Sequence, residues 1–331
     1  MRVSVVLTAY NAAWCIERAL DSVFAQTRLP DEVLVTDDGS TDDTADRVER
    51  RYGARVRLLR WPHRGLTPTR REALETASGD WLALMDADDW WLPEKLARQV
   101  EFLGRHPEVR WIGTDGAYVA AEGVIRASWL SDYFDPVRER CGDLLPPLIE
   151  RCFPLVSSML IARDAYAASG GFDPAFTFSQ DYDLWLRLAA KHPGAMLAEP
   201  LIAYWSSPGQ LSRRVEARYR DDLALMQRVA SGVLRDEPAL RRRGAERAAA
   251  LEFDLALVCL KSGRAAEARE RFARAAAHGP WRRRALATAG GVLPAPLTAA
   301  LARVRGVGRA VSGARRHVEP EHDPVAGSGA S

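Results

Sequence analysis

The chain has 331 residues, 47% of them hydrophobic and 27% charged, and its 46 basic and 44 acidic side chains leave a formal charge of +2. That balance implies no global polyelectrolyte partner, and the composition excludes a collagen-like or coiled-coil fibre and a wholly disordered chain. The length suffices for about two domains, or one large domain with an extension, without disulfides or structural metal.

No run approaches the roughly 18 consecutive apolar residues of a membrane-spanning helix. The four cysteines, Cys15, Cys141, Cys152 and Cys259, are scattered without a CxxC pair, which reads as reduced thiols in a reducing compartment. The apolar run from Val3 to Leu7 is too short for a signal-peptide core, so cytoplasmic residence is expected.

Val3 to Leu7 has the β-branched character of a strand buried on both faces in a parallel sheet. Ile16, Ala19, Leu20, Val23 and Phe24 follow at the spacing of an amphipathic helix. A second strand, Glu32 to Thr36, runs into Asp37-Asp38-Gly39-Ser40-Thr41-Asp42, whose side chains suit a turn and a helix cap. A third apolar run, Trp81 to Met85, stops at Asp86-Ala87-Asp88-Asp89, with a helix expected from near Pro93. Strands alternating with helices predict an α/β sandwich with a mainly parallel, mixed sheet, in which ligands lie beyond the carboxyl ends of the strands. Both acidic clusters fall there.

From about Asp221 strand-like runs disappear and Ala, Arg, Leu and Glu dominate. The predicted organisation is an α/β domain over 1–215, a helical extension over 216–280 and a basic, partly disordered tail over 281–331. Leu251, Leu255, Leu260, Gly263, Ala268, Phe272, Ala275 and Pro280 follow the pattern of one tetratricopeptide-like hairpin, and a plain helical hairpin fits equally. The stretch 281–318 mixes Arg282, Arg283, Arg284, Arg303 and Arg305 with apolar residues such as Leu293, Leu297 and Leu301. A solvated helix or a peripheral contact with the anionic inner face of a membrane would each account for it. Nucleic-acid binding is not expected, because the basic stretch lacks interleaved aromatics.

Asp86, Asp88 and Asp89 place three carboxylates within four residues, and a cation is the natural remedy for such crowding. All-oxygen ligands favour Mg²⁺ or Mn²⁺, which bind through one or two carboxylates plus substrate phosphates. An acidic turn capping the next helix is the alternative reading of the same residues. No GxxxxGK phosphate loop occurs, and Gly306-Val307-Gly308 lacks the third glycine of a dinucleotide fingerprint.

Five blocks, taken together, carry a resemblance. They are Val3-Ser-Val-Val-Leu-Thr-Ala-Tyr-Asn11, Val35-Thr-Asp-Asp-Gly-Ser-Thr-Asp42, Gly79-Asp-Trp-Leu-Ala-Leu-Met-Asp-Ala-Asp-Asp89, Gly170-Gly-Phe-Asp173 and Gln180-Asp-Tyr-Asp-Leu-Trp-Leu-Arg187. In this order the chain resembles family 2 glycosyltransferases of the GT-A fold over roughly its first 210 residues.

The resemblance implies a metal-dependent, inverting transfer from a nucleotide-sugar, most simply a UDP-sugar, to a saccharide or lipid-linked acceptor in surface polysaccharide or glycolipid assembly. Thr8, Ala9, Tyr10 and Asn11 would line the nucleotide pocket, with Tyr10 stacking on the base and Asp38 accepting from a base N–H. Arg70 would fork onto phosphate oxygens, Asp86 and Ala87 would contact the donor, and Asp88 with Asp86 would hold Mg²⁺ or Mn²⁺. Asp181 stands in the place of the catalytic base, here in a Gln180-Asp181 pair where Glu-Asp is usual; Asp183 and Asp89 read as structural. Gly170 and Gly171 would shape a loop beside the acceptor. Trp205 reads as a packing residue, with stacking on a sugar ring the alternative. The stretch Tyr204 to Arg213 has no histidine where the family often places a further metal ligand. A nucleotidyltransferase and an inactive GT-A scaffold are the competing functional readings.

Overall fold

The computed structural model describes residues 1–135, 137–206 and 214–278. The basic segment 281–318, the rest of the expected tail and most of the histidine-free loop, 207–213, lie outside the described residues.

The chain begins with β1 (Val3–Ala9), α1 (Ile16–Phe24), β2 (Glu32–Asp37), α2 (Thr44–Tyr52), β3 (Arg57–Arg60), α3 (Leu66–Thr76) and β4 (Trp81–Asp86). Next come β5 (Trp90–Trp91), α4 (Lys95–Arg105), a hairpin of β6 (Trp111–Ala120) and β7 (Gly123–Arg126), β8 (Arg140–Gly142), α5 (Leu145–Glu150), β9 (Leu160–Ala162) and α6 (Arg163–Ala168). After α7 (Gln180–Lys191) and β10 (Gly194–Trp205), three helices follow: α8 (Val215–Ala230), α9 (Pro238–Lys261) and α10 (Ala265–His278).

The strands form one sheet in the order β3-β2-β1-β4-β9-β6-β10-β5, with β7 added on β6 and β8 on β10. β1, β2, β3 and β4 are mutually parallel, whereas β9 runs antiparallel to both β4 and β6. The expected mixed, mainly parallel sheet between helical layers is therefore the fold.

Alternation along the strands builds a core on each face. Val6, Leu34, Leu82 and Leu84 point to one side and join Leu74 of α3, Leu184 and Trp185 of α7, Met226 of α8 and Leu255 of α9. Val5, Leu7, Val33, Val35 and Met85 point to the other and join Ile16, Leu20 and Val23 of α1, Val48 of α2 and Phe102 of α4. A strand buried on both faces disfavours polar residues in its middle, so those of β1, β2 and β4 lie toward the ends: Ser4 and Glu32 at the amino ends, Thr8, Thr36, Asp37 and Asp86 at the carboxyl ends. Phe253, Cys259, Ala268 and Phe272 form a separate small cluster between α9 and α10. No described helix is long and apolar enough to cross a membrane.

Candidate active site

Parallel register sets Thr8 beside Thr36 on β2 and beside Asp86 on β4, and sets Ala9 beside Asp37. The carboxyl ends of three strands thereby share one edge. Asn11 adopts the left-handed conformation at φ 49°, where asparagine is one of the few tolerated residues. Its Oδ1 accepts from the Thr41 amide at 2.8 Å, and its own amide donates to Ser40 Oγ at 2.9 Å. Asn11 thus ties the β1–α1 loop to the β2–α2 loop.

Asp38 is 3% exposed. Its carboxylate accepts from the Arg64 and Gly65 amides, both at 2.9 Å, and from Thr69 Oγ1 at 2.6 Å, with His63 Nδ1 at 3.0 Å from Oδ2. In this arrangement Asp38 fastens the segment 63–69, and a base N–H reaching it would share or displace one of those donors. The fastening lays the His63 ring on Tyr10, centroids 4.2 Å apart and planes 25° from parallel. Tyr10 remains 47% exposed, which makes the pair an aromatic platform open to solvent. At the end of β1, Thr8 Oγ1 is buried without a hydrogen-bond partner. Thr36 Oγ1, on the neighbouring residue of β2, is buried without a partner as well.

Arg70, expected to face phosphate, is buried on α3 and forms an ion pair with Asp86, its guanidinium 5.5 Å from the centroid of Phe172. Asp86 and Asp88 are partly exposed, whereas Asp89 is buried. The Asp86 amide donates to Ser157 Oγ at 3.0 Å, and that hydroxyl donates in turn to Asp89 Oδ2 at 2.5 Å. Asp89 Oδ1 accepts from the Trp205 amide at 2.9 Å, so this carboxylate binds the end of β4 to the end of β10. Burial first, then the charges of Asp88 and Asp86, push the Asp89 carboxyl well above the usual carboxylate range. Arg18 Nη2 donates to the Asp88 carbonyl at 2.9 Å, and its guanidinium lies 3.9 Å from the Trp90 ring and 4.9 Å from that of Trp205. Trp205 also packs against Trp14, with centroids 6.3 Å apart, in keeping with its reading as a packing residue.

Asp181 is in the first turn of α7, partly exposed. Burial raises its carboxyl to about 6, opposed by the Tyr182 amide and by Arg70 and reinforced by Asp86. The charges of Arg70 and Asp86, themselves an ion pair, thus act on Asp181 from the end of β4. Gln180 Oε1 beside it is buried and unpartnered. Asp183 is structural as read: it pairs with Arg187 and lies 3.4 Å from Arg228. Gly170 and Gly171 take φ of +84° and +67°, and Arg71 Nη1 donates to the Phe172 carbonyl at 3.0 Å, which sets the loop under Arg70.

Two residues of the site escaped sequence reasoning. Asp221 Oδ2 accepts from the Phe178 and Ser179 amides at 2.9 and 3.2 Å, and Asp222 Oδ1 accepts from Ser179 Oγ at 2.6 Å. Ser179, at the helix cap, makes no side-chain cap bond of its own. The carboxylates of α8 supply acceptors at the entry to α7, next to its positive dipole end.

The donor set at Asp86 and Asp88 fits a hard divalent ion. It offers oxygen alone, both groups are partly exposed, and the cluster does not bring three carboxylates together closely enough to form a cage. Two carboxylates with the remaining positions left to phosphate and water is the arrangement Mg²⁺ and Mn²⁺ favour.

Residues 4–148 match the family model Glycosyl transferase family 2. An uncharacterized protein of Mycobacterium tuberculosis is 33% identical over 217 residues, 61% of this chain and 58% of that protein. The chain therefore spans less than two thirds of the length of these curated relatives. The Escherichia coli protein WfaP, named as a UDP-Glc:alpha-D-GlcNAc-diphosphoundecaprenol beta-1,3-glucosyltransferase, is 27% identical over 57% of this chain and 70% of its own. Among solved structures, Staphylococcus aureus TarS 1-349 in complex with UDP-GlcNAc superposes with a TM-score of 0.65 at 20% identity, covering 88% of each chain. The mannosyltransferase PcManGT of Pyrobaculum calidifontis, in complex with GDP-Man and Mn²⁺, gives a TM-score of 0.56 at 21% identity over 91% of this chain and 84% of its own. The fold is that of the GT-A glycosyltransferases. Residues 4–148 are similar to the family 2 glycosyltransferases.

Proposed function

We propose that the protein transfers a sugar from a nucleotide-sugar donor, a UDP-sugar in the simplest case, to an acceptor hydroxyl, with inversion at the anomeric carbon and with Mg²⁺ or Mn²⁺ bound. What supports this reading is the Arg70–Asp86 ion pair beyond the strand ends, whose charges act on Asp181 in the first turn of α7. The donors named for WfaP and TarS support the choice of nucleotide, and the lipid-linked acceptor of WfaP supports a saccharide or lipid-linked acceptor here. The GT-A part corresponds to 1–215, and α8 of the helical extension braces it at α7.

In this reading the base lies on the Tyr10–His63 platform and Thr8 Oγ1 meets a donor atom. Asp88 and Asp86 would hold the divalent ion, which when bound neutralises charge on the departing diphosphate. Arg70 holds the Asp86 carboxylate in place. Asp181 takes the proton of the acceptor hydroxyl as its oxygen attacks from the face opposite the diphosphate. A panel of UDP- and GDP-sugars with added Mn²⁺, read by nucleoside diphosphate release and by the anomeric configuration of the product, tests the proposal. Release of UDP with an inverted linkage is expected; tight UDP binding with no turnover of any donor contradicts it.

Tyr10→Ala is expected to weaken UDP binding about tenfold, the scale of one aromatic stacking contact, as titration calorimetry will measure. Asp221→Ala is expected to destabilise the entry to α7 by about 1 kcal/mol, the cost of a lost helix cap, and, since α7 carries Asp181, to lower kcat several-fold while leaving donor affinity unchanged. Steady-state kinetics separates the two parameters, and Asp221→Asn, which keeps an acceptor oxygen, should recover most of the rate.

A further inference from the structure

We propose that His106, Glu108 and Cys141 form a second cation site, for a borderline transition metal of the zinc class, at the end of the sheet opposite the acidic cluster. One ligating atom from each of the three lies within 4.8 Å of the other two. Among the described residues no other three His, Cys or carboxylate side chains converge so closely.

The fold brings them together from two places in the sequence. His106 follows the last residue of α4, and Glu108 lies in the short turn before β6, closed by the Val109 amide donating to the His106 carbonyl at 3.1 Å. Cys141 is the middle residue of β8, an edge strand paired antiparallel to β10 with Cys141 opposite Ala195. Ala195 is in turn beside Ile112, near the amino end of β6. Since β6 and β4 both run antiparallel to β9, the amino end of β6 points away from Asp86 and Asp88. The two sites are separate.

Chemistry sets the class of ion. Thiolate, imidazole and carboxylate together suit zinc and its neighbours, whereas magnesium and calcium take oxygen alone. His106 Nδ1 is 3.3 Å from Glu108 Oε1. A tetrahedron with bonds of about 2.0–2.2 Å has nitrogen–oxygen edges of roughly that length, so these two ligands are already spaced as zinc requires. The His106 ring is held by stacking on Phe102, with centroids 4.3 Å apart. Glu108 and Glu139 both act electrostatically on the Cys141 thiol, which gives the locus the negative potential a cation seeks. Exposure of Cys141 and Glu108 gives an ion access. Binding converts the thiol to thiolate and releases its proton to solvent, and water completes the fourth position. The product is a staple between the end of α4 and the β8 edge.

Cobalt titration of the reduced, chelator-treated full chain tests this. The wild-type protein is expected to show a thiolate-to-cobalt charge-transfer band in the near ultraviolet with intense visible bands of tetrahedral cobalt, both abolished by zinc. Cys141→Ser should remove the charge-transfer band. His106→Ala should weaken affinity by more than the roughly 10–100-fold lost with a supporting outer-shell group. Cys152→Ser should leave the spectrum unchanged. Zinc should also raise the Tm of the wild type and not of Glu108→Gln, a readout independent of the cysteine. Absence of the band, its survival in Cys141→Ser, or equal Tm shifts in wild type and Glu108→Gln would overturn the proposal.

Discussion

Asp181→Asn is expected to retain UDP binding while transfer falls at least about a hundredfold, the low end of what a positioned general base contributes. The substitution keeps the size and removes the proton acceptor, so an unchanged rate would dismiss Asp181 as the base. A pH signature accompanies it. Burial holds the Asp181 carboxyl at about 6, above its ordinary 3.8. The base is ionised only above that point, so kcat/KM of the wild-type protein should fall about tenfold per pH unit below it. The stability effect has the opposite direction. Between those two values the folded state binds a proton that the unfolded state has released, so folding stability declines as pH rises from 3.8 to about 6 and then levels. Asp181→Asn lacks this decline. At pH 7 it should melt no lower than the wild type, and the difference should close below about pH 4. Thermal melts across the pH range, run beside the kinetics, distinguish a removed base from a damaged fold.

Asp88→Asn is the second large effect. Lewis-acid stabilisation of a leaving diphosphate contributes several kcal/mol, so transfer should drop by about a thousandfold. Asp181→Asn spares donor binding, whereas Asp88→Asn should uncouple UDP affinity from Mn²⁺. Calorimetry of UDP with and without Mn²⁺ reads this directly, and an Asp88→Asn protein in which Mn²⁺ still tightens UDP would remove Asp88 from the ion. Asp86 is the less informative position because its loss also leaves Arg70 buried without its partner carboxylate.

The strands that position the site were legible because parallel strands covered on both faces read as unbroken apolar runs. β1, β2 and β4 each follow such a run and extend one or two residues beyond it into the polar edge. β3 was not legible, since its Arg-Leu-Leu-Arg composition belongs to a sheet edge with exposed ends. β9 has three residues, and β10 breaks its register around Pro200, so neither carries a clear periodic signal. The acidic residues of the cleft could be named because their types and spacing are local. Their partners could not be. The pairing of Arg70 with Asp86, the donors around Asp38 and the grip of Asp221 on α7 join residues far apart in sequence, and only the closed fold brings them together. Local residue types and spacing therefore name the candidate groups, and the long-range contacts that hold them are visible only in the fold.

The central claim is that the carboxyl end of β4 binds the diphosphate of a nucleotide-sugar through one divalent ion, within reach of Asp181. An anomalous difference map of crystals grown with UDP and Mn²⁺ tests it most directly. The account predicts a manganese peak on the Asp88 carboxylate, bridged to the diphosphate, with the uracil on Tyr10 and Asp181 facing the space beyond the second phosphate. UDP bound elsewhere, or a manganese peak with no contact to Asp86 or Asp88, would contradict it.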